Sequence, residues 1–172
     1  MQVRLLVEGD PPMSNYWMVV TSPEDFAVSR ELGYPVSGFK DNRRGRRIYA
    51  MEPGDQIVYY INRIHKFGAV TEVAGRPYRD DKTRIWVETD EIWPLRIPLK
   101  LHAILDDEQL VDVRRLLPKL SFVTERIRQT GWGVAFQGSL HRIPEDDFEL
   151  IASEIRRAAH PRIEPRHGQA DD

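Results

Sequence analysis

Between Lys40 and Arg47 the sequence KDNRRGRR holds five basic residues and one acid, a local charge of +4. Guanidinium forks and ammonium groups are the side chains that bind phosphate. Lys40, Arg43, Arg44, Arg46 and Arg47 are therefore candidate contacts to a polyanion backbone, with a solvated basic loop as the equal alternative. The 172-residue chain carries 25 Lys plus Arg against 27 Asp plus Glu, a formal charge of −2. That balance excludes a surface that is basic all over and leaves a one-sided patch, the more so because Asp106, Asp107 and Glu108 concentrate the opposite sign elsewhere.

Aromatic residues beside hydrogen-bonding ones form the second chemical signal: Asn15, Tyr16 and Trp17; Gly38 and Phe39; Tyr59, Tyr60 and Asn62; Trp86 and Trp93; Phe122; and Trp132 in TGWG. A planar base between aromatic faces gains roughly 1–3 kcal/mol per stacking side chain, while amides and backbone groups read its edge. Several of these aromatics have a plainer role. Alternate residues of YWMVV and IVYYI face opposite sides of a strand, so some are core, and Phe122 at helical spacing is core as well. Trp132 lies between Gly131 and Gly133, which signals either close approach of another group or a tight turn.

Other chemistries lack their residues. There is no Cys, which removes thiol catalysis and Cys-ligated metals and fits a reducing compartment. His65, His102, His141, His160 and His167 are scattered singly with no HxH or HExxH, and no phosphate loop or GxSxG elbow occurs. Acidic pairs such as Asp146 and Asp147 sit where a helix start explains them. No catalytic residue, metal or cofactor is assigned, and binding without turnover is the expectation.

The elements that must position these side chains are short. YWMVVT, residues 16–21, reads as a strand covered on both faces. Ser22 caps a helix from Pro23 to Leu32 that Gly33 stops. Residues 34–47 read as a long loop. Strands follow at 56–61, 67–73, 84–88 and 96–105, with a turn at 75–81 and with Pro98 demanding an edge or irregular position. Helices are expected at 107–117, ended by Pro118, and at 120–128, with a strand at 133–143. PEDDFELIASEIRRAAH gives the clearest helix, with Phe148, Ile151, Ala152 and Ile155 on one face and acids in its first turn. Short strands separated by turns favour a small closed or nearly closed barrel over a doubly wound sheet. No apolar run reaches the roughly 20 residues of a membrane span, and Met1 to Pro12 has no signal-peptide pattern. A cytoplasmic protein is expected.

NYWMVVT at 15–21, MEPGDQIVYYI at 51–61, FGAVTEV at 67–73, LSFVTERIRQTGWG at 120–133 and IPEDDFELI at 143–151, taken in that order, resemble the EVE domain family. That family falls in the PUA-like group with YTH and ASCH domains. The resemblance implies an α+β fold, a small mixed PUA-like β-barrel with peripheral helices over residues 15–159, with an N-terminal extension (1–14) before it, and the tail (160–172), rich in prolines and polar residues with little apolar content, is expected to be flexible. The resemblance further implies a non-enzymatic domain that takes a flipped or modified base of DNA or RNA into an aromatic pocket. Trp17, Ser37, Gly38, Phe39, Tyr60, Asn62, Arg126 and Trp132 are the pocket residues it suggests. A pocket for a small molecule or nucleotide derivative, and a protein-interaction surface built on exposed aromatics, are the alternatives.

Overall fold

A computed structural model describes residues 14–86 and 89–160. The expected extension and tail, apart from residues 14 and 160, lie outside that range. The strands are β1 (Tyr16–Thr21), β2 (Val36–Phe39), β3 (Gln56–Ile61), β4 (Lys66–Val73), β5 (Tyr78–Arg79), β6 (Leu95–Ile104), β7 (Val111–Asp112) and β8 (Leu140–Arg142). The helices are α1 (Pro23–Glu31), α2 (Glu125–Thr130) and α3 (Glu145–Ala159).

Six strands form one path in the order β2-β6-β4-β3-β1-β8, with β5 pairing on β6 and β7 on β4. β1 and β3 run parallel and the other pairs are antiparallel. The sheet curls into a half-barrel rather than closing: its path ends at β2 and β8, with no ladder joining them among the described residues.

Alternation along the strands builds two cores. Met18, Val58 and Tyr60 face α3, where Phe148, Ile151, Ala152 and Ile155 cover them. Trp17, Val19, Ile57, Tyr59 and Ile61 face the other side, packing with Phe26 of α1, Phe39 of β2 and Ile48. A strand dressed on both faces must be apolar at consecutive positions, which is why YWMVV and IVYYI show no alternation.

Ser22 Oγ accepts from Asp25 N at 3.1 Å and Pro23 opens α1, as its residue types require. Pro98 sits where β6 changes neighbour: Leu95 to Pro98 pair with β2 and Leu99 to Ile104 with β4. A residue with no N–H to donate is tolerated at such a switch.

Several expectations need correction. Residues 34–47 are not a featureless loop, since Val36–Phe39 pairs with β6 and a 3-10 turn spans Gly45–Ala50. Residues 84–86 form no strand; 87 and 88 lie outside the described residues. The apolar spacing at 107–117 does not form one helix: Val111 and Asp112 pair with β4, and 3-10 turns capped by Asp106 and Asp112 flank that pairing. Non-local strand pairing there outweighs a helix too short to be stable alone. Helix formation at 120–128 is delayed to Glu125, because Ser121 N, Ser121 Oγ and Phe122 N donate instead to buried Asp147 of α3 at 2.8, 2.6 and 3.1 Å. In the 133–143 segment only Leu140–Arg142 is strand, preceded by a 3-10 turn at Trp132–Phe136.

Candidate nucleic-acid interface

The parallel strands β1 and β3 deliver their C-terminal ends to the same edge of the half-barrel. There Val20, Thr21, Ser22 and Asn62 form one wall of a cleft of about 380 Å³, closed by Trp93 and by Phe136 to Ser139. Gly138 takes a positive φ of 87° in that segment, a backbone state that favours glycine. Two polar atoms of the lining residues, Asn62 Oδ1 and Trp93 Nε1, are closed off from solvent and have no hydrogen-bond partner. Leaving such groups unpaired costs roughly 1–3 kcal/mol each.

Trp93 is held from behind. Its ring stacks on Trp86 with centroids 5.8 Å apart and planes 22° apart. Trp86 donates through Nε1 to Ser29 Oγ at 2.9 Å. Its ring lies so close to Gly38 that a β-carbon there would stand 2.2 Å from it. Arg96, buried to 2% exposure, donates from Nε to the Trp93 carbonyl at 3.2 Å and from Nη1 to Asp80 at 3.2 Å. Its Nη2 donates to the Thr83 carbonyl, and its guanidinium lies 5.5 Å from the Trp86 ring centre. One buried cation thus fastens the segment that carries both tryptophans.

The basic segment lies beside the cleft and is ordered by its own hydrogen bonds. Asn42 Oδ1 accepts from Gly45 N at 2.8 Å, and Gly45 is packed so that a β-carbon would be 1.9 Å from the Lys40 carbonyl oxygen. Within it the cations divide. Lys40 pairs with Glu91 at 2.9 Å and Arg46 with Asp41 at 2.8 Å, whereas Arg43, Arg44 and Arg47 have no carboxylate partner among the described residues. Arg47 donates to the Leu140 carbonyl of β8 at 3.0 Å. A β-carbon on Gly138 would stand 3.2 Å from Arg44 Nη1 and 3.7 Å from His141 Nε2. Arg47 therefore reaches across the open seam to β8, and Arg44 reaches the cleft rim. Burial pushes the His141 imidazole below its ordinary pKa of 6.5, a hydrogen bond to the Gln137 backbone partly offsets this, and Arg47 and Arg44 add to the lowering.

Of the eight residues suggested for a pocket, Asn62 lines this cleft. Trp17 is in the core and donates from Nε1 to buried Asp55 at 3.0 Å. Phe39 is in the same core, and Ser37 shares a 2.6 Å hydrogen bond with Tyr59. Gly38 supports the cleft at one remove, through Trp86. Tyr60 is buried, stacked on Phe136 at 4.5 Å and hydrogen-bonded to His65 Nδ1 at 2.7 Å, and burial raises its phenol to about 12. Trp132 packs edge-on against His65 and Phe136 at 5.1 and 5.9 Å. Its flanking glycines meet no close neighbour, and Gly131 has φ 123°, so they serve the turn after α2 rather than a close approach. Arg126 is exposed on α2. Sequence reasoning selected neither Val20 to Ser22, Gln137 to Ser139 nor His141; Trp93 was visible only as one aromatic among many.

Among the described residues no group of His, Asp and Glu side chains is placed to hold a metal ion, and no helix is long and apolar enough to cross a membrane.

Comparison with curated proteins returned no match. Several solved structures share the fold. The structure of Rpa0253 from Rhodopseudomonas palustris matches over 91% of this chain and 99% of its own, with TM-score 0.51 and 14% identity. A hypothetical protein from Leishmania major matches over 84% and 96%, with TM-score 0.54 and 18% identity. The YTH domain of Zygosaccharomyces rouxii MRB1, solved in complex with N6-methyladenosine RNA, matches over 85% and 89%, with TM-score 0.59 and 15% identity. At these identities the likeness is one of fold. The EVE domain family model matches residues 15–154, which takes in β1 through most of α3 and every wall of the cleft, and so the chain belongs to the EVE domain family.

Proposed function

We propose that this protein is a non-enzymatic reader of nucleic acid, accepting a flipped or modified base in the cleft while Arg43, Arg44 and Arg47 hold the adjoining phosphates. The observation that carries the reading is the conjunction at one rim: a cleft of about 380 Å³ with a tryptophan wall and two unpaired polar atoms, next to arginines with no carboxylate partner among the described residues. Asn62 Oδ1 accepts and Trp93 Nε1 donates, so small rotations of these side chains let a base edge with one donor and one acceptor pair with both. Trp17, Ser37, Phe39, Tyr60, Arg126 and Trp132 act in this reading through the scaffold or the surrounding surface rather than as cleft walls. Fold likeness to a YTH domain solved with N6-methyladenosine RNA supports the choice of a base as ligand. Extraction of a base from a duplex costs a few kcal/mol, so single-stranded or modified positions bind best.

Fluorescence titration of single strands carrying unmodified, N6-methyladenosine or 5-methylcytosine positions, repeated across salt concentrations, tests the reading. Neutralising Arg43, Arg44 and Arg47 together reduces the salt slope by about 0.7 for each phosphate that is no longer neutralised. Neutralising the already paired Lys40 and Arg46 changes it less. Equal slopes for the two variants, or free nucleosides competing as well as strands, would refute it.

A further inference from the structure

The 3-10 turn at Gly45–Ala50 has a second side that the cleft does not use. Tyr49 is 56% exposed, one of the few large hydrophobic side chains so open among the described residues. It lines a separate groove of about 330 Å³ with Met51, Glu52, Pro53, Arg76 and Pro77. Arg76 is exposed and has no carboxylate partner among the described residues. One arginine against one glutamate leaves the groove near neutral, which suits a planar ring better than a phosphate. An open phenol ring in a groove lined by two prolines and a guanidinium is the composition of a stacking platform.

The groove lies at the opposite end of β3 from the cleft, since Met51 to Pro53 precede Gln56 and Asn62 follows Ile61. Arg44 at the start of the turn reaches the cleft rim at Gly138, and Tyr49 lies near its end. At about 3.3 Å per residue, the six steps from Gln56 to Asn62 put the two sites about 20 Å apart along the strand. Arg44 and Arg47 lie on the turn between them, where the phosphates of a strand joining the two sites would pass.

We infer that the Tyr49 groove is a second nucleotide subsite, in which the phenol ring stacks on another base of the strand whose flipped or modified base is held in the cleft, so that a single strand is gripped at both ends of β3. This rests on the reading of the cleft as a base site. Its test compares two probes on the full chain: a fluorescein-labelled single strand with one central N6-methyladenosine or 5-methylcytosine, and the 5′-monophosphate of that same base. Tyr49→Ala should weaken the strand roughly 5- to 150-fold, the stacking range converted at tenfold per 1.4 kcal/mol, and leave the monophosphate unchanged. Tyr49→Phe, which keeps the ring, should bind the strand like the wild type. Unaltered strand affinity in Tyr49→Ala overturns the subsite alone, and an equal loss on both probes overturns it as well. Failure of the wild type to bind any strand overturns the cleft reading and the subsite with it.

Discussion

Replacing Arg96 by methionine tests whether one buried cation sets the tryptophan wall of the cleft. Methionine keeps most of the aliphatic stem and so most of the packing. What disappears is the fork. The Trp93 and Thr83 carbonyls lose their donors, and the guanidinium 5.5 Å from the Trp86 ring centre is gone. Each orphaned acceptor costs roughly 1–3 kcal/mol and the cation over the ring roughly 0.5–2. Both hydrogen bonds are only partly buried, so water recovers part of the loss and about 2–4 kcal/mol remains. Urea unfolding should show a lower midpoint at unchanged slope. Strand affinity per folded molecule should fall too, because Trp93 is no longer anchored where it faces Asn62 across the cleft. Arg96→Lys keeps the charge and stem but cannot reach three acceptors at once, so it should lie between. A loss below about 1 kcal/mol in Arg96→Met, with strand affinity intact, would refute the clasp.

Two further outcomes follow from local geometry. Gly45→Ala should destabilise by about 1–3 kcal/mol or more in thermal or urea unfolding, because its β-carbon would meet the Lys40 carbonyl oxygen, a backbone atom, at 1.9 Å; wild-type stability would show that the loop accommodates it freely. Because His141 has a folded-state pKa below its ordinary 6.5, the unfolded chain binds more protons in that window, so its contribution is present above pH 6.5 and is lost as pH falls through the folded value; His141→Gln should flatten that part of the stability–pH profile, and an identical profile would refute it.

How much of the candidate site was legible depended on which interactions were local. The basic segment was visible from composition alone, but its division into paired and unpaired cations was not. Asp41 is a near neighbour of Arg46 in sequence, while Lys40 reaches Glu91 across the fold. Asn62 was picked out by type beside an aromatic run and does line the cleft. Trp93 and Trp86 carried the same aromatic signal as Trp132. Only the placement of Arg96, Ser29 and Gly38 behind them distinguishes a cleft wall from a turn residue.

Elements whose signals are local follow from the order of residues alone. The Ser22 cap with Pro23, the apolar face of α3, the doubly covered strands β1 and β3 and the exceptional position of Pro98 rest on side-chain periodicity, hydrogen-bonding capacity and a missing N–H, all properties of adjacent residues. Long-range pairing sets the remainder. Residues 107–117 have helical spacing, yet pairing of Val111 and Asp112 with β4 breaks them into turns, and Asp147 of α3 holds back the start of α2. The cleft is likewise non-local, assembled from the ends of β1 and β3, the segment before β6 and the turn before β8. Its walls meet only because a mixed sheet curls without closing, and no property of any one segment specifies which strand ends that curl brings together.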